Sequence, residues 1–346
     1  MNIAAKADTE AAMEYRVLGR TGIKVSVIGL GCGGFGGIGS DASLFGQGET
    51  ESEAFALMDR AAELGINYFD TADSYGGGRS EEMVGRWMRD RSARDHIVLA
   101  TKVFNPMDAD RNSGGLSRRH VMRAIEESLR RLQTDRVDVY MAHQVDPDTD
   151  LEETMRAFDD LVRSGRVLHI GFCNIETWRV VKSLWISERI RGARLACVQN
   201  EYNLLHREAE SEMLPVLAEE GVSFVAYSPM AGGWLSGKYG QGAPLPAGSR
   251  MALRPEPYAG FQNEATYRAI GRFRSLAEKY NTSMAGLALA WARSNSKVTS
   301  ILAAPRNLEQ YKSVEEALGL TLDAADRTNI AEEVSGHIEN ESMSTA

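Results

Sequence analysis

Cysteine is scarce in this chain. Its 346 residues hold three, Cys32, Cys173 and Cys197, an odd number with no C-x-x-C pair. That excludes zinc ribbons and dithiol redox chemistry and is the usage of a reducing compartment. There is no apolar run of membrane length, and the first fifteen residues, MNIAAKADTEAAMEY, lack an apolar signal core. A cytoplasmic location with no membrane partner is therefore expected. Positive charge is also in deficit, with 39 Lys and Arg against 48 Asp and Glu and a net charge of −9. No basic stretch offsets it, which argues against a nucleic-acid partner. The six histidines (His96, His120, His143, His169, His206, His337) include no H-x-H or H-x-x-x-H pair. No metal site is expected, and a metal-dependent barrel hydrolase is disfavoured.

What is present is an alternation. Apolar strand patterns at 27–31, 66–71, 97–102, 137–143, 167–172, 195–199, 222–227 and 298–302 are separated by amphipathic stretches. Ala54, Leu57, Met58, Ala61 and Leu64 form one helical stripe, preceded by the capping box Thr50-Glu-Ser-Glu53 and closed by Gly65. Further helices are expected over 121–132 after Ser117, and over 151–162, 177–187, 208–218, 267–280, 283–294 and 323–334. Strand then helix, eight times, describes a (β/α)₈ TIM barrel. Residues 15–25 add an N-terminal β-hairpin turning at Thr21-Gly22, placed to plug the barrel's N-terminal mouth, and extra helices follow at the C-terminal end. One domain over 15–336 is expected, flanked by flexible segments 1–14 and 337–346. The helix patterns show no outward apolar stripe that would mark a subunit interface.

The glycine run Gly29-Leu-Gly-Cys-Gly-Gly34 spells G-x-G-x-x-G after a strand pattern. A dinucleotide-binding turn needs a helix opening at the third glycine and an acidic residue about 20 positions on. Here loop residues continue to Gly48 and the first helix signal is at Thr50. The fingerprint fails its context. The glycines instead end the first barrel strand, and a side chain at Gly34 is expected to intrude on the loop toward substrate.

Polar residues close three successive apolar strands: Asp70, Lys102 and His143, with Tyr75 five residues after the Asp. A barrel's chemistry sits at these C-terminal strand ends. A phenol titrates near pH 10 in isolation, and an adjacent ammonium is expected to lower that value. Asp70 holds the ammonium charged, and a histidine beside the phenol hydrogen-bonds the substrate oxygen. The set suits carbonyl reduction, with the hydride supplied by a cofactor.

The order of these motifs resembles the aldo/keto reductase superfamily, from about Tyr15 to about Asn329. Tyr15-Arg-Val-Leu-Gly-Arg-Thr-Gly resembles its opening hairpin, Asp70-Thr-Ala-Asp-Ser-Tyr75 with Ser80-Glu-Glu-Met-Val-Gly85 its D-T-A-x-x-Y pattern, and Arg136–His143 its histidine strand. The aryl-alcohol-dehydrogenase-like and potassium-channel-β-like branches are the most similar. The resemblance implies a catalytic tetrad of Asp70, Tyr75, Lys102 and His143.

It also implies NADP(H) lying across the C-terminal mouth without a Rossmann fold. Gly171-Phe-Cys-Asn174 resembles the family's G-x-S-N, with Cys173 in place of the usual serine. Asn174 and Gln199 are then expected on the nicotinamide carboxamide and Tyr227 on its ring. Ser228-Pro-Met-Ala-Gly-Gly-Trp-Leu-Ser-Gly-Lys238 resembles the pyrophosphate loop, engaging through Ser228, Met230, Gly232 and Lys238. Arg250, Arg306 and Gln310 match further cofactor positions, while Ser313 and Val314 stand where the family often carries Glu and Asn for the adenine. The cations favour a 2′-phosphate and hence NADP(H).

The substrate is expected to be a small carbonyl or alcohol, lined by Phe35, Phe45, 104–107, Gln144, Trp234, Tyr258 and Phe261. Oxidation of an alcohol or sugar with NAD(P), or a non-catalytic cofactor-sensing subunit akin to the potassium-channel β subunits, are the alternatives. The intact tyrosine, lysine and histidine argue for turnover.

Overall fold

A computed structural model describes residues 13–335, so the tail read as flexible over 337–346 and nearly all of segment 1–14 lie outside the described residues. The strands are β1 (Tyr15–Val17), β2 (Lys24–Ser26), β3 (Ile28–Gly31), β4 (Tyr68–Asp70), β5 (Val98–Val103), β6 (Val137–Ala142), β7 (Val167–Cys173), β8 (Leu195–Glu201), β9 (Ser223–Tyr227) and β10 (Val298–Ala303). The helices are α1 (Glu51–Glu63), α2 (Arg79–Arg91), α3 (Arg118–Leu132), α4 (Leu151–Arg163), α5 (Thr177–Ile190), α6 (Met213–Glu220), α7 (Arg250–Leu253), α8 (Glu264–Lys279), α9 (Met284–Ser294), α10 (Tyr311–Gly319) and α11 (Ala324–Ser335). Strands β3 to β10 pair in parallel in sequence order, and β10 returns to β3 to close an eight-stranded barrel. This is the expected (β/α)₈ architecture.

Period-two alternation explains why every position of β5 and β6 is buried. Val139 and Met141 face the barrel lumen with Tyr68, Ala100, Cys197 and Val225, whereas Tyr140 and Ala142 face the helices with Phe158 and Phe172. Two apolar layers, lumen and outer shell, thus grow from one strand.

The β1–β2 hairpin plugs the lumen as expected. Leu18 and Val25 are fully buried among the lumen residues. Hydrogen bonds fasten the hairpin to strand starts: Gly19 N–H donates to Ser223 Oγ at 2.6 Å, Ser26 N–H to Asn67 Oδ1 at 2.7 Å, and Arg16 to the carbonyl of Val298. These are N-terminal strand ends, so the opposite mouth is left for chemistry.

At α1 Thr50 and Glu53 form the expected reciprocal capping box, and at α3 Ser117 caps His120 N–H. Two readings need correction. The helix expected over 208–218 splits into a 3₁₀ turn at Glu208–Glu210 and α6. Pro215, lacking an N–H, cannot bond back to residue 211, so the helix starts within one turn of it. And an outward apolar stripe does exist. On α5, Trp178, Val181 and Trp185 are 55%, 47% and 56% exposed, with Arg179 and Arg189 lying over the two indoles. Their mixture with Arg and Lys along the sequence hid the stripe.

Candidate active site

Four polar side chains converge at the C-terminal mouth. Asp70 is the last residue of β4, Lys102 the penultimate residue of β5, and His143 follows β6 directly. Tyr75 opens the 3₁₀ turn that leads into α2. The side chain of Lys102 is 0% exposed. A buried ammonium is costly unless every proton is matched. Its Nζ donates to Asp70 Oδ1 at 2.5 Å, to the carbonyl of Thr71 at 2.8 Å and to the Tyr75 hydroxyl at 3.4 Å. Three donors meet three acceptors.

The Tyr75 hydroxyl lies 3.5 Å from His143 Nε2, and the two rings meet edge-on at 5.5 Å. Gly33, within the glycine run, packs against the face of the Tyr75 ring, where an added Cβ would lie 3.5 Å from it. The glycines thus let the backbone of this loop approach the site.

Electrostatics follow from burial. Burial opposes the charge on Lys102, but the Asp70 carboxylate and its hydrogen bond outweigh it and hold the ammonium well above its usual range. Burial and the Lys102 charge pull His143 down to about 3, so the imidazole is neutral at physiological pH. Its Nδ1 has no hydrogen-bond partner among the described residues. Tyr75 departs from expectation. Burial raises its phenol and outweighs the lowering effect of Lys102. At neutral pH the ring is a phenol with a proton to give.

Three of the remaining residues, Gln199, Asn174 and Tyr227, connect to this group. Gln199 is buried and donates from Nε2 to Asp70 Oδ2 at 2.8 Å. Asn174, in the left-handed region at φ 52°, donates to the carbonyl of His143 at 3.0 Å and accepts from the Tyr227 hydroxyl at 2.7 Å. Cys173 turns inward instead, its thiol buried in the lumen 3.9 Å from the sulfur of Met141.

Beyond β9, Ser228 stands at φ 52° with its hydroxyl 3.3 Å from that of Tyr258. Met230 precedes a 3₁₀ turn, Ala231–Ser236, in which Gly232 and Gly233 take φ values of 64° and 100°. A Cβ on Gly232 would meet the Tyr258 ring at 2.7 Å. Lys238, Arg250 and Arg306 come together from three segments. Burial lowers the pKa of both Lys238 and Arg250, and the neighbouring cations lower them further. The Arg306 backbone N–H is bonded by Gln310 Oε1 at 2.9 Å. Val314 is buried in the core and Ser313 bonds the carbonyl of Gln310. A glycine turn of positive φ beside three gathered cations fits a nucleotide's phosphates.

Two residues expected to line a substrate do not. Phe35 and Trp234 are buried, the latter packed among Tyr239, Phe261 and Tyr267. One residue was missed. Glu49 is buried and its Oε1 accepts from Arg306 Nε at 2.8 Å. A Cβ on Gly34 would lie 2.1 Å from Glu49 Oε2, so Gly34 makes room for this carboxylate and does not border substrate. A single Glu before a cap residue carries no sequence signal of burial.

Comparison with known proteins agrees with the motif order. The aldo/keto reductase family matches residues 27–334. The chain is 37% identical over 321 residues to the uncharacterized oxidoreductase YrpG of Bacillus subtilis, covering 90% of this chain and 93% of the relative. It is 34% identical over 325 residues to a probable voltage-gated potassium channel subunit beta of Oryza sativa subsp. japonica, covering 91% and 95%. It is 35% identical over 308 residues to versiconal hemiacetal acetate reductase of Aspergillus parasiticus, covering 82% and 86%.

Proposed function

The chain belongs to the aldo/keto reductase family, and on that premise we propose that it reduces an aldehyde or ketone to an alcohol with NADP(H), Tyr75 giving the proton. The observation that carries this reading is the placement of the Tyr75 hydroxyl, 3.4 Å from Lys102 Nζ and 3.5 Å from His143 Nε2.

NADP(H), when bound, supplies the hydride; Asn174, Gln199 and Tyr227 are the residues to hold its nicotinamide end, with Cys173 beside them through its backbone. Ser228, Met230, Gly232 and Lys238 would follow the pyrophosphate, with Arg250, Arg306 and Gln310 at the adenosine end. Tyr75, kept protonated by burial, donates to the carbonyl oxygen as negative charge develops there. The phenolate left behind faces Lys102, whose charge Asp70 maintains. With its proton on Nε2, neutral His143 donates to the same oxygen and orients it. Substrate enters beside the Tyr75 ring, where Phe45, Gln144 and 104–107 surround the mouth.

The test is consumption of NADPH by the purified protein against a panel of aldehydes and ketones, with NADH run in parallel. Turnover of at least one carbonyl is expected. Cofactor binding without turnover of any carbonyl or alcohol would instead favour the non-catalytic reading, which the similarity to a channel subunit beta raises.

A further inference from the structure

One buried carboxylate faces two of these cations, Arg306 and Arg250. Glu49 lies in the loop between β3 and α1, 5% exposed. Its backbone is pinned on both sides, Glu49 N–H donating to the carbonyl of Gly34 at 2.9 Å and Gly36 N–H to that of Glu49 at 2.9 Å. Its side chain lies against the bare Cα of Gly34 and reaches Arg306. Arg306 spends a second donor, Nη1, on the carbonyl of Gly248 at 2.8 Å. Its remaining Nη2 edge stays available to a ligand. Arg250 also acts on Glu49 through its charge.

The guanidiniums of Arg250 and Arg306 therefore share one negative charge. A 2′-phosphate carries close to two negative charges, whereas the 2′-hydroxyl of NADH carries none. Glu49 Oε1 is taken up by Arg306 and Oε2 lies against Gly34, so the carboxylate is turned away from that hydroxyl. Its effect on a nucleotide is through its charge, which opposes a phosphate and leaves a hydroxyl unaffected. Orientation of Arg306 works the other way, but the Gly248 carbonyl already provides part of it. A charge acts over a longer range than a single hydrogen bond, so the charge effect is expected to be the larger.

We propose that Glu49 is a cofactor-selectivity residue that narrows the preference of this chain for NADPH over NADH. This rests on the reading that Arg250 and Arg306, at the adenosine end, face the 2′-phosphate. The substitution Glu49→Gln keeps the volume and an oxygen for Arg306 Nε while removing the charge alone.

The experiment measures dissociation constants by titration calorimetry for NADPH, NADH, 2′,5′-ADP and 5′-AMP. In Glu49→Gln, NADPH and 2′,5′-ADP are expected to bind about tenfold more tightly, with NADH and 5′-AMP unchanged within twofold. Added salt should shrink the gain. Glu49→Ala carries the same expectation if the amide fails to fold. Arg306→Ala is measured in parallel. If that variant leaves the NADPH-to-NADH ratio intact, the cation reading fails and the proposal falls with it. If Arg306→Ala erodes the ratio but Glu49→Gln leaves it unmoved, or shifts it toward NADH, the role of Glu49 alone is overturned.

Discussion

Gln199 donates to Asp70 across 129 residues of sequence, Nε2 to Oδ2 at 2.8 Å. The carboxylate that charges Lys102 is thereby bound at both oxygens. Gln199→Leu would strand Oδ2 in a buried site, at a typical cost of about 1–3 kcal/mol. A urea midpoint lowered with an unchanged slope is the expected result, and an unchanged midpoint would mean that water takes the place of the amide.

Tyr75→Phe removes the proton and little else. Carbonyl reduction is expected to fall by about 10²–10⁴-fold, the usual weight of general acid catalysis. NADPH affinity should stay within a few-fold. Steady-state turnover and a fluorescence titration separate the two, and near-native turnover would remove Tyr75 from its role.

Lys102→Met leaves Asp70 buried with only Gln199 for company. Breaking a buried pair by removing one partner typically costs about 3–5 kcal/mol. Activity and stability should both drop. A variant that loses turnover but keeps its full melting temperature would show that the pair is not a structural element.

Acid stability has a defined window. His143 sits at about 3 in the folded chain, below the ordinary value for histidine near 6.5. Between those values the unfolded chain binds the proton and the folded chain does not, so stability is full above about 6.5 and falls as pH is lowered toward 3. His143→Asn should flatten part of that slope in urea titrations between pH 4 and pH 7. For the same reason, reductive turnover should show no histidine inflection near pH 6.5 and decline only as Tyr75 loses its proton on the alkaline side.

Gly34 and Glu49 should be energetically coupled. A methyl group at Gly34 overlaps the Glu49 carboxylate, and overpacking costs about 1–3 kcal/mol. Gly34→Ala is expected to destabilise the native chain but to cost much less in a Glu49→Ala background. Additive costs in a double-mutant cycle would refute the contact.

The strand ends were legible because an apolar run that stops on Asp, Lys or His is costly without a reason, and three such stops fell at one mouth. The barrel was legible through its alternation, and α1 through its capping box. What escaped is what distance in sequence conceals. Nothing near Gln199 reveals Asp70 as its partner, and Glu49 is one more acid in a polar loop until Arg306 arrives from 257 residues away. Residue type alone also misjudged direction: Cys173 and Trp234 face inward, while Trp178 and Trp185 face out. The lowered phenol expected at Tyr75 counted the neighbouring charge and omitted the burial that outweighs it.

The closure of the barrel bears on how the chain is made. The seam joins β3, Ile28–Gly31, to β10, Val298–Ala303, and the plug is fastened across the same seam through Arg16 and Val298. Synthesis proceeds from the N-terminus, so the first barrel strand waits for nearly three hundred residues before its second neighbour leaves the ribosome. Until then β3 has one open edge and the plug has no complete ring to enter. Pairing across so long a loop is slow relative to local contacts. Closing the barrel thus joins its first strand to its last, and a nascent chain released short of β10 lacks the strand that covers the open edge of β3.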